Sequence, residues 1–226
     1  MNKKSLFAGV LFVFVLFCGG CGVVARLGTP TYHETKVPPE YDLSNITEDD
    51  VIVVLVNQPS WIRSDVNLRY YMTEALNNAL KNALEPASGQ LVDYDELADF
   101  RARSRGLTTV QIGKGLEADY VLRFSITDFN IEKTPQSDYY SGYMSGNALL
   151  VDVAGGTKLW PEDMTAKVIK AGFELESEDK DAAVDRLVNS AARCTVRYLY
   201  PCPMKRFKIA DDRTDEQWDL WNSTAD

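Results

Sequence analysis

The chain has 226 residues, 45% of them apolar and 25% charged, which is enough for one ordinary domain with a proper core. It carries 33 acidic and 24 basic residues and a formal net charge of −9, a bias opposite to that of nucleic-acid binders. The same sign gives no adsorption to anionic lipid, so any membrane attachment has to come from a dedicated segment.

Such a segment opens the chain. Lys3 and Lys4 form a positive start, Leu6 to Phe17 an uncharged apolar run, and Gly19-Gly20 a pair of small residues before Cys21. This order of charged, apolar and small segments is that of an export signal. Residues 1–20 are therefore expected to be a lipoprotein signal peptide, with Cys21 as the acylated residue. The match to a lipobox departs at one place, where Cys18 stands in the position usually held by leucine. Two alternatives stay open: an uncleaved anchor helix, since Leu6 to Ala25 is about 20 residues and about a bilayer long, and a plainly cleaved signal. With two or more acyl chains at Cys21 the anchor would be stable. Gly22 follows Cys21, and by resemblance to enterobacterial sorting rules this favours the outer membrane over the inner one. Loss of Lys3 and Lys4 leaves 22 basic and 33 acidic residues, a mature charge of −11.

Residues 21–50 are rich in proline and polar residues and lack a sustained apolar period, so a tether is expected there. The domain is expected over 51–202. Val51 to Val56 is a continuous β-branched run of the kind buried on both faces of a sheet. A helix follows from about Asp65 to Leu84, with Met72, Leu76, Leu80 and Leu84 at i+4 spacing, Ser64 or Asp65 at its start and Pro86 as its stop. Gln90 to Asp93 is a short strand, and short helices fit Leu97 to Phe100 and Val110 to Leu116. Ala118 to Phe129 alternates as a strand, and its parity changes near Asp128, which predicts a bulge. Gly146 to Val153 and Lys158 to Trp160 form a hairpin about Ala154-Gly155-Gly156-Thr157. Ala166 to Leu175 is a further strand, and the last helix runs from about Asp179 to Tyr198 or Tyr200. Residues 203–226 return no core pattern and read as a polar tail. The fold class is α+β: a single mixed or antiparallel sheet of four to five strands against two long helices.

Chemistry is scarce in this order of elements. The one histidine, His33, falls in the tether, so histidine-based nucleophilic catalysis and histidine zinc sites have no base or ligand in the domain. Gly113-Lys114-Gly115 lacks the upstream glycine and the following Ser/Thr of a phosphate loop. Acid neighbours such as Asp93, Asp95 and Glu96, or Asp211, Asp212 and Asp215, read as solvated surface. No cofactor and no metal is expected. Cys194 and Cys202 are candidates for one disulfide in an exported chain, the other reading being a buried Cys194 thiol. Trp61, Tyr139, Tyr140 and Tyr143 are the candidate partner-binding surface, because aromatic residues are enriched at interface anchors.

The run Gly113 to Leu122, continuing through Ser125-Ile126-Thr127-Asp128-Phe129, and the hairpin from Ala148 to Trp160 resemble segments of a group of bacterial envelope lipoproteins. That group includes the curli-secretion subunit CsgG, the penicillin-binding-protein activator LpoB and the N-terminal domain of TolB. The resemblance implies a non-catalytic protein that binds envelope partners, and it carries no functional residue beyond the lipidated cysteine. Pro135 to Tyr143 is too short and polar for the membrane-spanning hairpin of a secretion channel. The leading expectation is a lipid-anchored, periplasm-facing adaptor or assembly factor. An accessory lipoprotein of a transport system, with an apolar ligand or lipid groove, and a histidine-free carboxylate hydrolase are the alternatives.

Overall fold

The computed structural model describes residues 35–84, 89–133, 135, 140–175 and 179–204. Cys21, Tyr139, the signal segment and residues 205–226 lie outside them. Eight strands and four α-helices follow in the order β1 (Lys36–Val37), β2 (Val51–Asn57), α1 (Leu68–Leu84), β3 (Gln90–Leu91), α2 (Tyr94–Arg103), α3 (Thr109–Gly115), β4 (Tyr120–Lys133), β5 (Tyr140–Asp152), β6 (Thr157–Trp160), β7 (Lys167–Leu175), α4 (Lys180–Val196) and β8 (Cys202–Pro203). The α+β class expected from the pattern is the class observed, with six strands in the main sheet.

In that sheet β2 lies parallel to both β3 and β4, and β4 pairs antiparallel with β5. The long β5 carries two partners along its outer edge: β7 beside Tyr140 to Ala148 and β6 beside Leu150 to Asp152. The register shift expected near Asp128 falls between Ile126 and Asp128. It restores the apolar parity, so Phe129 and Ile131 join the same core as Phe124 and Ile126.

The unbroken apolar run of β2 is explained by burial on both sides. Ile52, Val54 and Val56 point to α1 and α4, in a core with Leu122, Phe124, Met144, Leu76 and Leu187. Val53 and Leu55 point the other way, to Leu97 of α2 and Ile112 of α3. Gly113 lets α3 approach this second face, since an added Cβ would stand 2.6 Å from Val153 and 2.9 Å from Val121. The hairpin turn is built as its sequence suggests: Asp152 accepts hydrogen bonds from the amides of Ala154 and Gly155, and Gly156 takes a φ of +65°.

Two boundaries differ from the sequence expectation. α1 starts at Leu68 instead of Asp65, because Ser64 closes a local turn on the Val66 amide and Asn67 accepts from the Tyr70 amide. The tether expected up to Asp50 is folded from Thr35 onward. β1 pairs with β8, Leu43 is fully buried, Ile46 joins the core, and the Leu43 amide donates to the Leu199 carbonyl. These few apolar residues carry no period, so only their docking partners reveal them.

Candidate functional site

β2 ends at Asn57, where Gln58-Pro59 follows and proline has no amide to continue the ladder. β4 runs on past it, and β3 covers only the first residues of β2. The carboxyl end of β2 is therefore left open between α1, α2 and the loop from Ser104 to Thr108. The carboxyl ends of parallel strands are where open α/β sheets place their ligand crevices.

Four arginines gather at this opening. Arg101, in the last turn of α2, donates from one Nη to the Val56 carbonyl at 3.2 Å and from the other to Asn57 Oδ1 at 3.4 Å. Arg69, in the first turn of α1, donates to the Gln58 carbonyl at 3.3 Å. Arg123, beside Leu55 on β4, donates to Thr109 Oγ1 at 3.4 Å, while its Nε is buried without an acceptor. Arg105 comes from the loop between α2 and α3. Among the described residues no carboxylate lies within 4 Å of any of these four guanidinium groups. Burial, and then the like charge of Arg69, push the Arg101 guanidinium below its ordinary value. Arginine starts so far above neutrality that it stays charged.

Two crevices meet at Arg101. One, of about 250 Å³, is bounded by Asn57, Arg101, Ser104, Arg105 and Thr109. The other, of about 310 Å³, lies between Arg69 and Thr73 of α1 and Tyr94 and Arg101 of α2, over Val56 and Leu97. Tyr94, which lines the second, belongs to a chain of edge-on rings. Tyr70 meets Tyr94 edge-on at 5.3 Å and Tyr71 at 5.5 Å. On the loop from β2 to α1, Trp61 is 76% exposed. The loop is held by Gln58 Nε2 donating to the Ile62 carbonyl and by the Lys180–Asp65 ion pair at 2.6 Å.

The aromatic surface expected from the sequence is not one surface. Tyr140 and Tyr143 are part of β5, which starts at Tyr140 and not at Gly146 as expected, and three residues apart on a strand means opposite faces. Tyr140 packs against the main core. Tyr143 lies on the other face, where its ring edge stands 3.6 Å from the place a Cβ on Gly172 would take. Of the described members, Trp61 is largely exposed and Tyr140 and Tyr143 are half-buried. Cys194 and Cys202 are both buried without the disulfide considered for them, and the Cys202 thiol donates to the Pro203 carbonyl at 3.7 Å.

The remaining polar clusters are structural in their contacts. Fully buried Trp160 donates its indole N–H to Glu40 Oε2 at 2.7 Å and stacks on Tyr198 at 6.0 Å. Lys167 pairs with the same Glu40 carboxylate and stands 4.1 Å over the Tyr198 ring. Asp119 accepts from the Val51 amide at 2.8 Å, which ties β4 to β2 where Ala118-Asp119 begins the strand. Gly113 to Gly115 belongs to α3. Asp93 precedes α2 and Asp95 and Glu96 lie exposed in its first turn. Among the described residues no group of three or more His, Cys, Asp or Glu is placed to hold a metal ion, and no helix is long and apolar enough to cross a membrane.

The basic crevice was missed in the sequence, although Arg101, Arg103 and Arg105 alternate in an acidic chain and are visible there. Arg69 and Arg123 join only through the fold. The protein is thus an α+β domain with an arginine-lined crevice at the carboxyl end of its central parallel strand. No family model matches the chain, and no curated protein matches it. Among solved structures it is similar to the PelC dodecamer from Paraburkholderia phytofirmans, at 12% identity over 70% of this chain and 91% of that one, with a TM-score of 0.44. It is also similar to lipoprotein GNA1162 from Neisseria meningitidis, at 17% identity over 63% and 94% of the two chains, TM-score 0.41. A third is protein XCC0632 from Xanthomonas campestris, at 9% identity over 70% and 88%, TM-score 0.39. Likeness of this degree carries no functional argument.

Proposed function

We propose that the chain is an exported, lipid-anchored envelope protein without catalytic activity, which binds a partner protein through the end of the domain that carries Trp61. The order of charge, apolar run and small residues before Cys21 supports export and acylation. Gly22 after the acylated cysteine supports an outer-membrane address with the domain facing the periplasm. The observation that carries the binding role is Trp61 itself, 76% exposed on a short loop held at Gln58 and Asp65. A large exposed ring on a loop tied at both ends has the character of an interface anchor.

The test is a photo-crosslinking residue at position 61 of the full lipidated chain in cells. A discrete adduct is expected. It should weaken when Cys21→Ala moves the chain off the membrane and be absent when the photoprobe is placed at exposed Lys81. Failure to form any adduct above that Lys81 control would overturn the role assigned to this surface.

A further inference from the structure

Fixed positive charge without a matching carboxylate is the least explained feature of this acidic molecule. Arg101 is clamped to the end of β2 through two N–H groups, which leaves three of its five donors for another acceptor. Arg105 shares the about 250 Å³ crevice with it, and Arg123 stands behind Thr109 with a buried Nε that no protein atom satisfies. Buried donors without acceptors are rare in folded proteins unless water or a ligand completes them. The neutral groups at the same opening, the Asn57 amide and the Ser104 and Thr109 hydroxyls, are polar and can also donate.

We propose that this crevice binds a phosphoryl group, as free phosphate or a small phosphomonoester, with Arg101 and Arg105 as its principal charged partners. Guanidinium matches both carboxylate and phosphate through paired N–H groups. Donors here converge from three sides: β2 through Asn57, α2 and its following loop through Arg101, Ser104 and Arg105, and α3 through Thr109. A phosphate offers three or four oxygens to such a ring of donors, whereas a carboxylate offers two. The dianion also answers the like-charge crowding of Arg69 and Arg101 on the other side of the guanidinium. The ligand comes from solution, not from the anchoring membrane. The crevice opens at the carboxyl end of β2, the end of the sheet from which the loop to α1 reaches the start of α4 through Asp65 and Lys180, while the chain enters the domain where α4 ends, near Tyr198 and β8. The inference is independent of the partner role of Trp61.

Titration of the full lipidated chain in detergent with inorganic phosphate, at ionic strength held constant with chloride, tests it by calorimetry and ³¹P resonance broadening. Saturable binding is expected, weakened at least tenfold by Arg101→Gln and several-fold by Arg105→Gln. Arg105 is exposed on a loop, so its variant separates lost binding from lost folding. Lys81→Gln, on the exposed surface of α1, should bind as the parent does. With a phosphomonoester as the titrant in place of inorganic phosphate, affinity should rise between pH 5 and pH 7 as the phosphoryl group takes its second charge, with a pKa of about 6. Acetate at the same ionic strength should bind at least tenfold more weakly. Absence of saturable binding, equal affinity in the Arg105→Gln variant, or acetate bound as tightly as phosphate would overturn the proposal.

Discussion

Single side chains in this domain do their work by satisfying what their neighbours leave open. Glu40 is the clearest case, because it accepts from the fully buried indole of Trp160 and from Lys167 at once. Glu40→Ala strands the Trp160 N–H, and urea unfolding should show a loss of about 1–3 kcal/mol. Glu40→Gln keeps an acceptor and should lose less. Gly146 lies under the Phe124 ring, where an added Cβ would come within 2.3 Å of Cζ. Gly146→Ala therefore overpacks the core and should cost about 1–3 kcal/mol by the same measurement. The Asp65–Lys180 pair gives a pH signature. The hydrogen bond from Lys180 holds the Asp65 carboxyl below its ordinary value. A carboxyl depressed in the folded state stabilises above its unfolded pKa of about 3.9, and that contribution is lost as pH falls through the lower folded value. The gap in thermal midpoint between the parent and Asp65→Asn should thus be present at pH 6 and close as the pH is lowered toward 2.

At the scale of elements, the segment from Thr35 to Ile46 changes what counts as the domain. It has the proline and polar content of a linker, yet Leu43 is sealed in the main core and β1 pairs with β8. Leu43→Ala should destabilise by about 2–5 kcal/mol, the range for a buried leucine, while a true linker residue would change nothing measurable in urea. α3 depends on its ends because it is only seven residues long. Thr108 accepts from the Gln111 amide and the Gln111 side chain accepts from the Thr108 amide, a complete capping box. Thr108→Ala should cost about 1 kcal/mol. Since Thr109 borders the crevice, that loss should be accompanied by weaker phosphate binding.

For the whole molecule, the polarity of the fold matters more than any one contact. α4 runs from the crevice end to the end where β1 and β8 close the domain, about 25 Å at 1.5 Å per residue for its 17 residues. An anchor at Cys21 would leave residues 22–34 to join lipid and domain. At 3.3–3.6 Å per residue these span at most roughly 45 Å. With Trp61 and the arginines at the far end, reach becomes part of the proposed function. Shortening 22–34 by about half should reduce the position-61 adduct while leaving the membrane fraction unchanged, measured by flotation and by adduct yield.

What the residues alone determined is the part of this protein governed by local pattern. The apolar run of Val51 to Val56, the i+4 stripe of Met72 to Leu84, the alternation of β4 with its shift near Asp128 and the Gly-Gly turn each follow from a period or a turn chemistry that needs no distant partner. The charged, apolar and small segments before Cys21, on which the proposed export rests, form a pattern of the same kind. Tertiary structure decided the rest. Leu43 and Ile46 are too few for a period, so only their docking places them in the core. Tyr140 and Tyr143 look like a cluster in one dimension, and strand geometry sends them to opposite faces. Arg69, Arg101, Arg105 and Arg123 come from α1, α2, a loop and β4, and no spacing in the chain announces that they meet. They converge because β2 stops at Asn57, ahead of Pro59, while β4 continues, which opens the end of the sheet to helices on both of its faces.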